Sequence, residues 1–156
     1  MAFPNSGLFV PTFRDALNGT IALDLDVLTH KVALFTNTIT ADLTTNTAYA
    51  SSPWLADAGT TEVAGTGYTA GGYTLANTTW AHSSLGIVQW KNTVDPNWTT
   101  ATITAYGALY YADALAGNNA ICAQTFGGAA VTSTAGTFTI VLSANASVIF
   151  SIDFVP

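Results

Sequence analysis

Residues 99–111 read TTATITAYGALYY, the longest alternating run in the chain. Ile103, Ala105, Gly107, Leu109 and Tyr111 fall on one side, and Thr102, Thr104, Tyr106, Ala108 and Tyr110 on the other. A period of two belongs to a strand, whose successive side chains point to opposite faces. The run is therefore expected to be one central strand. Its β-branched and aromatic residues suit a pleated surface better than a helix.

The same period recurs on both sides of this run. Ile21, Leu23, Leu25 and Val27 alternate with Ala22, Asp24 and Asp26, which predicts a half-buried strand. KVALFTNT at 31–38 follows closely enough to pair with it as a hairpin, with Val32 and Leu34 on one face and Ala33 and Phe35 on the other. Residues 40–60 are rich in Thr, Ala, Asn and Ser and read as a long loop. In TEVAGTGYTAGGYTL, 61–75, Gly71-Gly72 supplies the positive φ of a turn. Short strands are expected around Trp80, around Trp90 and over 121–126, with turns at Asp95-Pro96-Asn97 and Gly117-Asn118-Asn119. Phe138, Ile140 and Leu142, then Val148, Phe150, Ile152 and Phe154, predict a closing hairpin about the Ser-Ala-Asn-Ala-Ser turn at 143–147.

The pattern predicts an all-β fold: a single β-sandwich or barrel-like domain of about eight short strands over residues 20–156. Residues 1–19, with Pro4, Pro11 and Leu-Asn-Gly at 17–19, read as an extended N-terminal arm with a helical turn around Phe13–Leu17. The expected core includes Leu23, Leu25, Val32, Leu34, Ile103, Phe138, Ile140, Phe150 and Ile152.

Composition narrows the function. The 156 residues are about one domain in length, long enough to bury a core without metal or disulfide support. With 49% hydrophobic and 8% charged residues the chain is not disordered, since disordered chains are charge-rich and apolar-poor. Three Lys and Arg against nine acids, a net charge of -6, argue against nucleic acid and anionic membranes as partners. The uncharged stretch 114–152 is broken by Gly117, Asn118, Asn119, Gly127 and Gly128, so it does not read as a membrane span. The N-terminal MAFPNSGLFVP lacks the pattern of a signal peptide, and synthesis in the cytoplasm is expected. The 26 threonines, with Asn and Ser, take over the solvation that charges usually provide.

Chemistry-bearing patterns are sparse. The only histidines are His30, at an expected bend, and His82, in an expected loop, and each reads as solvated or structural. The chain has no G-x-S-x-G or H-E-x-x-H motif, and the lone Cys122 lies in an apolar run that reads as a buried strand. Asp24 and Asp26, two apart on an expected strand, share a face and are the best paired-carboxylate or Ca²⁺ candidate, yet an acidic solvated face is the simpler reading. GTGYTAGG, 65–72, lacks the Lys-Ser/Thr ending of a phosphate loop. Trp54, Trp80 and Trp98, in or beside loops, keep a carbohydrate- or receptor-binding role open. The sequons at Asn18, Asn77, Asn97 and Asn145 are expected by chance in a Thr-rich chain. No catalytic, cofactor-binding or metal-ligating residue is assigned, no cofactor is expected, and the chain does not read as an enzyme.

The segments FRDALNGTIALDLDVLTHKVALFTNTIT, TEVAGTGYTAGGYTL and DPNWTTATITAYGALYYAD, in that order and spanning about 13–113, resemble small virion proteins of tailed bacteriophages. The resemblance implies a capsid decoration protein on the head exterior, bridging major capsid subunits. A phage tail or receptor/carbohydrate-binding virion protein is the alternative. Charge poverty suits a chain that buries surface in an assembly. The expected partners are the major capsid protein and further copies of the chain, as a homotrimer at a threefold position. Attachment is expected to be mainly apolar, hence weakly salt-dependent, because only Arg14, Lys31 and Lys91 carry positive charge.

Overall fold

The computed structural model describes residues 5–27, 29–54, 61–84, 86–142 and 147–154. In chain order these form β1 (Gly7–Leu8), α1 (Val10–Leu17), β2 (His30–Phe35), β3 (Tyr73–Thr74), β4 (Thr78–Ser84), β5 (Ile87–Asn92), β6 (Asn97–Ala105), β7 (Gly107–Ala112), β8 (Asn119–Thr125), β9 (Val131–Thr139) and β10 (Val148–Asp153). The all-β, sandwich-like class expected from the alternation is what these residues adopt, with ten strands, two of them only two residues long. Every pairing is antiparallel, in sheets ordered β1-β8-β7-β2-β3, β10-β5-β4 and β6-β9. No helix among the described residues is long and apolar enough to cross a membrane.

The central strands β2 and β7 of the five-stranded sheet are buried on both sides, which explains their continuous apolar runs KVALF and GALYYA. Val32, Leu34, Ala108 and Tyr110 face a core shared with Trp90, Trp98, Ile103 and Phe138 of the other two sheets. Ala33, Phe35, Leu109 and Tyr111 face a second core, roofed by Ile39, Ala41 and Trp54 from the long loop and by Phe9. The loop expected over 40–60 is thus a covering layer, as far as Trp54; residues 55–60 lie outside the described set.

The run 99–111 is two strands. It breaks at Tyr106, whose N–H donates to Phe35 O (2.8 Å) and whose carbonyl accepts from Phe126 N (2.9 Å). That extra residue inverts the phase. Ala101, Ile103 and Ala105 face the shared core before the break, and Ala108, Tyr110 and Ala112 after it. An uninterrupted strand would have turned Leu109 and Tyr111 to the face where Ile103 lies, since a one-residue slip exchanges the two faces. The chain uses the slip to pass from one sheet to another.

Two expected hairpins are replaced. Residues 21–27 are not a strand, because Asp24 Oδ1 accepts from the N–H groups of Asp26 (2.9 Å) and Val27 (3.1 Å), folding the segment into a local turn that competes with a ladder. β2 pairs instead with β7 and β3. At the other end, β9 pairs with β6 and β10 with β5. After β9, Ile140 N–H donates to Pro96 O (2.9 Å) and Leu142 N–H to Asp95 Oδ1 (3.0 Å), which leads the chain away from a tight reversal. Residues 143–146 of the expected turn lie outside the described set.

From Asn5 on, the segment expected as an extended arm is built into the domain. β1 pairs with β8, and α1 opens with Pro11 in its first turn, where a missing N–H costs nothing. Phe9 between them is fully buried, edge-on to Trp54 at 5.8 Å. Of the expected core, Leu25, Val32, Leu34, Ile103, Phe138 and Ile140 are buried, and Leu23 and Phe150 pack against them half-buried. Ile152 is half-buried outside that cluster, at an open depression. Phe9→Ala is expected to cost about 3–5 kcal/mol, the range for emptying a buried aromatic site, read from urea unfolding. A loss below about 1 kcal/mol would show that the segment is peripheral, since surface changes cost that little.

Candidate functional site

The most elaborate polar cluster is centred on Glu62, the one glutamate in the chain and 2% exposed. Its Oε2 accepts from Tyr49 Oη, and its Oε1 from Tyr68 Oη and the Gly71 N–H, each at 2.7 Å. Three donors at this length replace the water that burial removes. The Tyr68 hydroxyl also accepts the Leu34 N–H (2.9 Å). Its titration is pushed far above the ordinary range by burial, then by the Glu62 charge and bond; Tyr49 is raised in the same direction by burial and by its bond to Glu62.

The cluster completes the edge of β2. Val63 N–H donates to Leu34 O and Thr36 N–H to Thr61 O, while Lys31 and Val32 pair with Thr74 and Tyr73. Between these contacts residues 64–72 loop away, and the Tyr68 hydroxyl takes the place of a strand carbonyl opposite Leu34. Gly71 and Gly72 turn the loop with φ of 91° and 78°, as expected. A Cβ on Gly72 would stand 2.0 Å from Val32 O, so close approach requires glycine there as well. Sequence reasoning identified this turn but missed Glu62. The available signal was its isolation: it is the only Asp, Glu, Lys or Arg between Asp57 and Lys91.

The singled-out titratable residues do not converge on a reaction centre. His30 is buried edge-on to Trp90 (5.1 Å), with Nδ1 3.4 Å from Thr78 Oγ1, and burial lowers its pKa to about 4. His82 is exposed on β4. Cys122 is buried in β8, and burial raises its thiol pKa. Asp24 and Asp26 lie on the turn rather than on a strand face, with Asp26 accepting the Trp80 N–H. Among the described residues no three His, Cys, Asp or Glu side chains group as metal ligands. Trp54 and Trp98 are buried, and Trp80 is half-buried.

A further feature is an open apolar groove of about 540 Å³ between α1 and the β10-β5-β4 sheet. Phe13 anchors the helix on the sheet, edge-on to Phe150 at 5.9 Å. Eight residues of helix span only about 12 Å, and the sheet surface continues beyond them. Val10, Leu17, Trp80, Ile152 and Phe154 line the uncovered part. Val10 is 57% exposed, Leu17 87% and Phe154 68%. Single exposed apolar residues are ordinary; here three of them stand beside one groove.

No family model, curated protein or solved structure matches the chain.

Two outcomes follow from the buried polar groups. Glu62→Ala leaves three donors without their acceptor, and at about 1–3 kcal/mol for each unsatisfied buried group it is expected to cost about 3 kcal/mol or more in urea unfolding, with Tyr68→Phe costing less. Equal, sub-kcal losses would mean the cluster is solvated. For His30, the folded chain resists the proton down to pH about 4 while the unfolded chain takes it near 6.5. Stability should therefore fall as pH drops through that window and level off below it. His30→Phe should flatten the dependence between pH 7 and 5; parallel profiles for the two proteins would contradict the assignment.

Proposed function

We propose that the chain is a structural protein of a phage virion, a decoration protein that binds the outer surface of the head and bridges major capsid subunits. The observation that carries this reading is the apolar groove between α1 and β10, with Leu17 and Phe154 exposed beside it. Burying such surface against a partner gains about 25 cal/mol per Å², and stable association with a shell needs that kind of gain. The resemblance of residues 13–113 to small virion proteins supplies the setting, and the low charge content fits surface that ends in an assembly. Burial of Trp54 and Trp98 removes two of the three aromatic platforms on which carbohydrate binding would rest.

The mechanism is cementing. Each copy seats its groove on a capsid subunit, and copies joined as a homotrimer at a threefold position link neighbouring subunits. Of the three cations, Arg14 in the groove lining already pairs with Asp15 (2.8 Å), Lys31 pairs with Asp113 (3.0 Å) and Lys91 is half-buried on β5, so the docking contact is apolar in the main. Wild-type protein should stay on purified particles in about 1 M salt, where screening is nearly complete. Leu17→Gln/Phe154→Ser, which alters only exposed side chains, should be lost on the same wash. Equal retention of the double variant, or sedimentation of the isolated wild type as a monomer, would count against the groove or the bridging oligomer respectively.

A further inference from the structure

The apolar groove does not end at Leu17. A second depression of about 280 Å³ meets it over Phe13, Leu17 and Trp80, and its far side carries Asp24 and Asp26. From this juxtaposition we infer that the capsid segment seated here is an apolar stretch with a lysine or arginine at the end that meets Asp24 and Asp26. The inference rests on the docking reading above and specifies the chemistry of its partner.

Both carboxylates are held before any partner arrives. Asp24 Oδ1 accepts the N–H groups of Asp26 and Val27, and Asp26 Oδ1 accepts the Trp80 N–H. One oxygen of each is thereby fixed, and a carboxylate has about four lone-pair sites, so capacity remains for an incoming cation. Holding them in advance reduces the ordering cost of binding. Trp80 lies between the apolar and acidic parts, where an aromatic face adds attraction for a cation within about 6 Å. Arg14, which lines the apolar groove, forms an ion pair with Asp15. A second copy of the chain fits this end poorly, because its own Arg14 and Lys31 are already paired and its Lys91 is half-buried on β5, the middle strand of its sheet. The charges orient the segment more than they strengthen its binding, as charges at an interface rim do.

The test uses the full-length protein and two short dye-labelled peptides, each with several leucines in a serine background, one ending in a pair of lysines and its twin in a pair of glutamates. Fluorescence anisotropy should show the lysine peptide binding at least about fivefold tighter, the factor that one exposed ion pair at the upper end of its usual range supplies. Asp24→Asn/Asp26→Asn keeps an oxygen acceptor at each turn position and should bring the two peptides within about twofold. Leu17→Gln/Phe154→Ser should weaken both. Equal binding of the twins to wild type, or a preference that survives the Asp→Asn changes, overturns the basic-segment inference while leaving the groove intact. If Leu17→Gln/Phe154→Ser weakens neither peptide, or neither peptide binds wild type, the docking reading itself fails.

Discussion

Strand β2 lies with both faces in apolar cores, so every polar group along its edges has to find a partner inside the protein. One edge is closed by β7. The other is closed in three pieces: two short backbone pairings and, between them, a tyrosine hydroxyl. Tyr68 accepts the Leu34 N–H while its own O–H donates to Glu62, and the buried Glu62 carboxylate is satisfied because Tyr68, Tyr49 and the Gly71 N–H all donate to it. Tyr49 belongs to the loop that roofs the second core, and it stacks on Tyr111 of β7 at 4.4 Å. One carboxylate thus couples the edge of the central sheet to the layer above it. Partly satisfied, such a network would destabilise the fold; fully satisfied, it specifies a single arrangement.

Local alternation was readable wherever one pattern covered one strand. β2 followed from KVALF, and β4 and β5 from the surroundings of Trp80 and Trp90. Long-range pairing was not readable, because alternation fixes which side chains share a face and says nothing about the neighbouring strand. The run 99–111 shows the limit: a single residue at Tyr106 reverses the phase, yet TATITAYGALYYA reads on without interruption. At 21–27 the apolar alternation was real, but the Asp24 side chain offered the backbone a nearer partner than a second strand. At the N-terminus, prolines suggested an arm, whereas Phe9 needed a core and β8 had an open edge.

Site legibility follows the same division. Asp24, Asp26 and Trp80 were each visible as candidates, two as a possible cation pair and one as a possible platform. Their joining to one another and to the apolar groove depends on α1 covering only part of the β10-β5-β4 sheet, which no local pattern encodes. Glu62 is not legible locally, because a lone acid in a glycine-rich turn segment has no partner in the adjacent sequence. Its three donors come from positions 49, 68 and 71, the first of them across the long loop.

A protein with few charges, a network turned inward and an apolar groove turned outward is suited to being held against another protein. For the decoration role proposed here, an image reconstruction of purified phage heads incubated with the protein tests this most directly. The account predicts density matching the domain on the outer surface, with α1 and β10 against a capsid subunit. Density for the domain on the tail alone, or on the head with α1 and β10 facing solvent, would contradict it.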